Sequence, residues 1–274
     1  MNIIVKAFAC IGIAALCGAA SAPESAEQLN VPFSDPSRPG TLHVSIVTGS
    51  IVVKGSDTRN VIIETRGGED PGARNVPGNA KGLRQLQQRP SISVEEQNNR
   101  MEIGSQHSNR RIDFEIEVPA RTHLELSTVN SGDIRVDGVE GEIEISNVNG
   151  AIALTNVAGS VVAHTVNGRV SAVLSRVAPE KTMAFTSLNG DVDIDLPADI
   201  KANLRLRTDN GKVFTDFDLN MLPQPASTVI EDTRRTGGRY RIEGNKVIYG
   251  AVNGGGPDVE MRTFNGSIFV RKNR

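Results

Sequence analysis

The amino-acid sequence predicts an all-β fold, a single-stranded β-solenoid (β-helix-like) of stacked short strands with eighteen residues per coil in its central part. Three observations predict it. Glycines at 132, 141, 150, 159 and 168 recur every nine residues. One apolar pattern follows each of the first four: Ile134, Val136 and Val139; Ile143, Ile145 and Val148; Ile152, Leu154 and Val157; Val161, Ala163 and Val166. Asn precedes Gly at every second corner (Asn149-Gly150, Asn167-Gly168, with Asn130-Ser131-Gly132 as a variant), which doubles the period to eighteen.

Alternate residues of a strand point to opposite faces, so the second and fourth positions after each Gly share the interior. The Val at the seventh position lies beyond a change of direction and is expected to return to that interior. The Gly is expected to supply the unusual backbone angles of a tight corner. Asn189-Gly190, Asp209-Asn210-Gly211 and Asn265-Gly266 continue the series, with Val192 and Ile194, Val213, and Ile268 and Val270 as their inward residues. Thr48-Gly49-Ser50, followed by Ile51 and Val53, is an early copy. Read as two-residue hairpin turns, the Asn-Gly pairs would give antiparallel meanders; equal spacing favours stacking. With no Trp, 4% aromatics and 27 Gly, the chain must fill a narrow core with Ile, Val, Leu and Ala.

Met1 to Ala20 carries one charge, Lys6, then an apolar run and small residues, and reads as a secretory signal peptide. An uncleaved anchor competes with that reading, but the run is Ala/Gly-rich and short for a span. Bulky Leu16 disfavours lipid modification at Cys17. Residues 21–40 read as an extended leader, and 41–274 as the β-repeat domain, with insertions at 67–90 and 221–238. Lys81 to Arg89 is the one segment with helical character. Cys10 and Cys17 are the only cysteines, and both lie in the signal, so the processed chain can use no disulfide, thiolate metal site or cysteine nucleophile. Loss of Lys6 takes the formal charge from −2 to −3, which offers no field for nucleic acid or anionic lipid.

Phe114-Glu115-Ile116-Glu117-Val118-Pro119, Leu124-Glu125-Leu126-Ser127-Thr128-Val129-Asn130, Gly132-Asp133-Ile134, Thr165-Val166-Asn167-Gly168 and Arg262-Thr263-Phe264-Asn265-Gly266-Ser267-Ile268 together set a pattern. From Ile112 onward it resembles a bacterial family of candidate adhesins, secreted β-strand repeat proteins of unassigned function. The resemblance implies a β-solenoid-like fold at the cell envelope and brings no catalytic residues with it.

The strongest chemical candidate is Asp191-Val192-Asp193-Ile194-Asp195, three carboxylates on the outer side of one strand. In the same row, the positions after alternate glycines run Asp133, Ala151, Arg169, Asp191, Lys212, which reads as a ladder of exposed ion pairs worth at most about 1 kcal/mol each. Calcium on Asp191, Asp193 and Asp195 would need ligands from neighbouring coils, since alternate side chains lie nearly ~7 Å apart along a strand. His43, His107, His123 and His164 have no metal-type spacing. Gly254-Gly255-Gly256 lacks the Lys-Ser/Thr of a phosphate loop. Tyr240 and Tyr249 are the only tyrosines, and no aromatic platform for sugar stacking is evident.

The reading assigns no catalytic residue, cofactor or metal. It describes an exported, non-enzymatic envelope or surface protein, periplasmic or cell-surface, acting as an adhesion or interaction scaffold for an envelope protein or glycan. After signal cleavage it has no stable membrane insertion, and its strand edges offer self-association. The alternatives are a β-helix carbohydrate-active enzyme acting on acidic polysaccharide, and an extracytoplasmic sensor domain. Acidic and basic residues clustered under the 67–90 loop would favour the enzyme, and a flat face of short polar residues the scaffold. An inward charge costs about 3 kcal/mol or more, so Ile143→Asp should collapse the thermal transition and Glu142→Lys should leave it nearly unchanged; equal melting temperatures would refute the assignment.

Overall fold

The computed structural model describes residues 27–67, 92–105, 111–178, 180–223, 229–232, 240–243 and 247–273. Among them there is no helix. The segment 1–20 read as a signal peptide, His107 and Lys81 to Arg89 lie outside the described residues, as does the 67–90 insertion beyond Gly67. The chain runs through β1 (Glu27–Pro32), β2 (Gly40–Thr48), β3 (Ile51–Ser56), β4 (Asn60–Gly67), β5 (Ile92–Gln97), β6 (Arg100–Ser105), β7 (Ile112–Pro119) and β8 (Thr122–Asn130). It continues through β9 (Ile134–Asp137), β10 (Glu140–Asn149), β11 (Ile152–Asn167), β12 (Val170–Val177), β13 (Met183–Asn189), β14 (Val192–Pro197) and β15 (Ala202–Thr208). The remainder is β16 (Val213–Thr215), β17 (Asn220–Met221), β18 (Val229–Asp232), β19 (Tyr240–Glu243), β20 (Val247–Val252), β21 (Asp258–Asn265) and β22 (Ile268–Asn273).

All but β18 and β19 join one hydrogen-bonded sheet that folds on itself into two faces. The sixteen-residue β11 carries the chain across the corner between them, pairing by its first half on one face and its second half on the other. One face runs β5-β6-β2-β8-β10-β11-β13-β21-β15-β20-β17. The other runs β1-β4-β7-β3-β9-β11-β12-β14-β22-β16. Their inner sides form a single core, with Ile134, Val136, Ile143, Ile145, Ile152, Leu154, Val161 and Ala163 all at most 2% exposed. The eighteen-residue period is the parallel register itself: Ile152 sits between Ile134 and Val170.

Coil order in space departs from chain order at both ends. The β2–β3 coil is seated between β6–β7 and β8–β9, and the β21–β22 coil between β13–β14 and β15–β16. Beyond the parallel coils the strands turn antiparallel: β5 on β6, β4 on β7 and β1 on β4 at one end, β20 on β15 and β17 on β20 at the other. A stack of parallel strands would otherwise end in open edges. The stretch read as an extended leader is part of this cap. β1 pairs with β4, Phe33 is 4% exposed, and Asn99 accepts from the Asp35 amide at 2.6 Å. The second insertion holds β18, which forms a two-stranded antiparallel sheet with β19.

Two details of the repeat differ from expectation. Val139 and Val157 are buried, but Val148 and Val166 are not; Asn147 and Thr165 point inward instead. Gly138 (φ 69°) and Asn156 (φ 52°) lie in the left-handed region at one corner and reverse the in–out alternation there, whereas β10 and β11 run straight into the Asn-Gly corner and keep it. The second concerns the Asn-Gly glycines. Of the glycines at these corners only Gly49 (φ 133°) is left-handed, so unusual angles are not what the others supply. They supply clearance: a Cβ on Gly150 would lie 2.0 Å from the Gly132 carbonyl oxygen, and one on Gly168 2.1 Å from that of Gly150.

Each of those carbonyls accepts a buried side-chain hydrogen bond from the coil above or below. Thr165 Oγ1 donates to Gly150 at 3.0 Å, Ser187 Oγ to Gly168 at 2.8 Å, Thr263 Oγ1 to Gly190 at 2.8 Å, and Thr208 Oγ1 to Gly266 at 2.7 Å. Asn147 takes that place for Gly132, at 2.8 Å from Nδ2, and leaves its own Oδ1 buried without a partner. An unsatisfied buried acceptor costs about 1–3 kcal/mol, so Asn147→Thr should raise the melting temperature; a drop would mean that the amide has a use the geometry does not show. Gly150→Ala forces backbone apart and should cost about 2 kcal/mol or more, while Gly104→Ala, whose Cβ would find only Ser93 Oγ at 3.4 Å, should be neutral by denaturant titration.

Candidate functional site

Parallel register lines outward side chains up in rows about 4.8 Å apart per strand. On the first face one row reads Ser45, Ser127, Ser146, His164, Thr186, Arg262, Arg207. Ser127 donates to Ser45 across the rung at 2.9 Å. The neighbouring row reads His43, Glu125, Glu144, Val162, Ala184, Glu260, Arg205. The result is a flat surface of short hydroxyls with acidic residues toward one end and arginines toward the other. His164 is exposed in the hydroxyl row, His43 Nδ1 lies 3.1 Å from Glu125, and His123 Nδ1 accepts from the Glu142 amide at 2.9 Å.

Three carboxylates on these faces, Glu125, Glu115 and Glu142, are held as anions by basic partners. Arg100 forks onto Glu125 at 2.8 and 2.7 Å, and that pair of hydrogen bonds brings the Glu125 carboxyl down to about 2. Hydrogen bonds from Lys54 and Lys181 hold Glu115 and Glu142 below the ordinary carboxylate range. A general acid needs the opposite shift, toward the working pH.

Asp191, Asp193 and Asp195 do face outward on β14, and each is engaged. Arg271 of β22 pairs with Asp193 and reaches Asp195 at 3.4 Å; Arg169 lies 3.4 Å from Asp191, which also accepts from the Ser267 amide at 2.8 Å. The predicted row needs one correction: the inserted terminal coil places Ser267 between Asp191 and Lys212, so those two are not neighbours. Asp133 pairs within its own strand, with Arg135 at 2.8 Å, and accepts from the Ala151 amide at 3.0 Å. Among the described residues no group of three or more His, Cys, Asp or Glu is placed to hold a metal ion.

Sequence reasoning missed two surface features. Beside the Asn-Gly corner an apolar row, Val47, Val129, Val148, Val166, Leu188, Phe264, runs along the stack, with Val129 at 43% and Phe264 at 45% exposure. Next to it an amide ladder links Asn149, Asn167, Asn189, Asn265 and Asn210 through side-chain hydrogen bonds of 2.8 to 3.0 Å. The other feature is aromatic. Phe214 and Phe269 stack on the outer side of the second face, with centroids 5.2 Å apart, and Arg271 lies 5.4 Å from the Phe269 ring. The signal for it was present: Phe269 alternates with inward Ile268 and Val270 and so had to point out.

At the corner opposite the Asn ladder lies a cleft of about 800 Å³. Its floor is the line of small residues Ala120, Val139, Ala158 and Val177, its rim carries the paired Glu140 and Arg176, and its far wall is the loop Pro197 to Lys201 with Gly255 to Pro257. It opens where the period lengthens: Val170 is followed in register by Val192, twenty-two residues on.

Comparison with known proteins follows this geometry. A solved structure of a candidate cell adhesion protein from Clostridium sporogenes aligns with 91% of this chain and 100% of its own, at TM-score 0.50 and 12% identity, and shows the same fold. A candidate adhesin from Bacteroides fragilis aligns with 91% of this chain and 98% of its own at 9% identity, and its TM-score of 0.28 adds nothing to the fold. Curated proteins give no match. Residues 121–240, in the central part of this β-solenoid-like stack, match the model of the Toastrack DUF4097 family, a family of unknown function.

Proposed function

We propose that the chain is exported and works, without catalysing a reaction, as an adhesion-type interaction scaffold at the bacterial envelope or cell surface. The observation that carries this reading is the outer row Ser45, Ser127, Ser146, His164 and Thr186, which presents hydrogen-bonding side chains, four of them hydroxyls, in strand register on one face. Such an array suits a long polymer or another sheet surface. Glu115, Glu125 and Glu142 support it, since hydrogen bonds keep them as anions and their arginine and lysine partners are already in place. The likeness to a candidate cell adhesion protein agrees in kind. Among the described residues no helix is long and apolar enough to cross a membrane.

A carbohydrate-active enzyme is the competing reading, and the Phe214–Phe269 stack beside Asp193 and Asp195 is where it would act. Both readings meet in one experiment on the protein lacking residues 1–20: an array of glycans and isolated envelope proteins, with a turnover assay on acidic polysaccharides. Saturable binding weakened by Ser127→Arg with Ser146→Arg, and no turnover, is the expected result. Turnover abolished by Asp191→Asn and Asp193→Asn would replace the scaffold with an enzyme.

A further inference from the structure

The cleft contains an unfinished β-ladder. β12 is paired on one side along its length, with Leu174, Arg176 and Val177 matched to Val157, Ala158 and Gly159 of β11. On its other side it pairs with β14 only from Val170 to Val173. β14 continues instead along β22, with Leu196 opposite Lys272 and Pro197 opposite Asn273. The two neighbours therefore part after Val173 and Asp195; Leu174 stays fully buried, while the edge from Ser175 to Val177 lines the cleft and has no strand beside it among the described residues.

One substitute is in place. The side-chain amide of Asn273 donates to the Leu174 carbonyl at 3.2 Å, a peptide-like group standing where a strand's N–H would be. The opposite wall is built in advance. Asn253 Nδ2 donates to the carbonyls of Ala198 and Ile200 at 3.1 and 2.8 Å, and Asn203 Nδ2 to that of Gly256 at 2.7 Å, which lashes the two wall loops together. A preformed wall lowers the ordering cost of binding. Backbone groups offered at a strand edge are matched by another extended backbone, and main-chain hydrogen bonds then supply the affinity.

We propose that this cleft binds an extended peptide segment of a partner protein, which adds as a short strand to the Ser175–Val177 edge. The floor of Ala and Val residues admits small apolar or β-branched side chains, and the rim, where Asn156, Asp199 and Lys201 stand with the paired Glu140 and Arg176, suits hydroxyls. The inference deepens the scaffold reading by naming a class of partner, and it rests on that reading only in requiring a macromolecular one. The cleft is a different surface from the hydroxyl row, so changes at Ser127 and Ser146 should leave it working.

The test titrates the protein with a short capped peptide alternating Thr and Val, the same peptide N-methylated at alternate amides, and a linear neutral oligosaccharide. Hydrogen exchange at Ser175 to Val177 is followed alongside. The expected result is saturable binding of the first peptide, slowed exchange at those residues, and affinity lower by about tenfold or more both for the N-methylated peptide and for Lys201→Trp, which fills the cleft from an exposed position and whose melting temperature is measured alongside. Equal affinity for the N-methylated peptide would overturn the proposal. So would absence of binding up to about 1 mM, or displacement of the peptide by the oligosaccharide, which would make the cleft a glycan site.

Discussion

The contact on which the stack depends is the one between glycines at the Asn-Gly corner, where backbone lies against backbone with no space for a Cβ. The backbone ladder of the sheet runs on through this corner, where the amides of Gly150, Gly168 and Gly190 donate to the Asn167, Asn189 and Asn265 carbonyls of the neighbouring coil at 3.0 to 3.1 Å. Three further layers act with it: the glycine column, the buried Thr and Ser hydroxyls that donate to the glycine carbonyls, and the outer asparagine ladder. Remove the clearance and the hydroxyls lose their acceptors; remove the hydroxyls and buried carbonyls go unpaired, at about 1–3 kcal/mol each. The aliphatic core then fills what these corners enclose, each Ile or Val contributing about 1.5 to 3 kcal/mol.

How much of this was legible depends on how local the cause is. Ile134, Val136, Ile143 and Ile145 could be placed inward from spacing alone, because strand alternation is a property of neighbouring residues. Val148 and Val166 could not, since their orientation turns on whether the preceding corner contains a left-handed residue. Gly138 and Asn156 do reverse the alternation, and nothing in the nine-residue pattern marks them as different from the straight approach to Gly150. The glycine positions were read correctly and their reason was not: six of those corners need proximity to a neighbouring coil, which is a tertiary fact.

The seating of the β2–β3 and β21–β22 coils is likewise beyond local reading. Each leaves the sequential order and enters the stack one place in from its end, bringing together residues as far apart as Val192 and Ile268. That insertion breaks the expected Asp191–Lys212 contact, and it also brings Arg271 onto Asp193 and Asp195. Two of the three carboxylates of the acidic stripe thus share one arginine from a coil more than seventy residues later, and their chemistry cannot be judged from β14 alone.

Repetition and binding make opposite demands on such a fold. Identical coils satisfy each other's backbone groups completely, so a perfect stack has nothing left to offer a partner except side chains on its flanks. An available backbone edge arises only where consecutive coils differ in length, because the longer one must leave the register before its corner. The sequence announces that place: the interval between Asn-Gly corners changes from eighteen residues to twenty-two after Gly168, and it is β12, the strand following that glycine, whose far end lacks a neighbour. In a solenoid, an irregular interval is therefore a more direct pointer to a binding edge than any residue type on the regular faces.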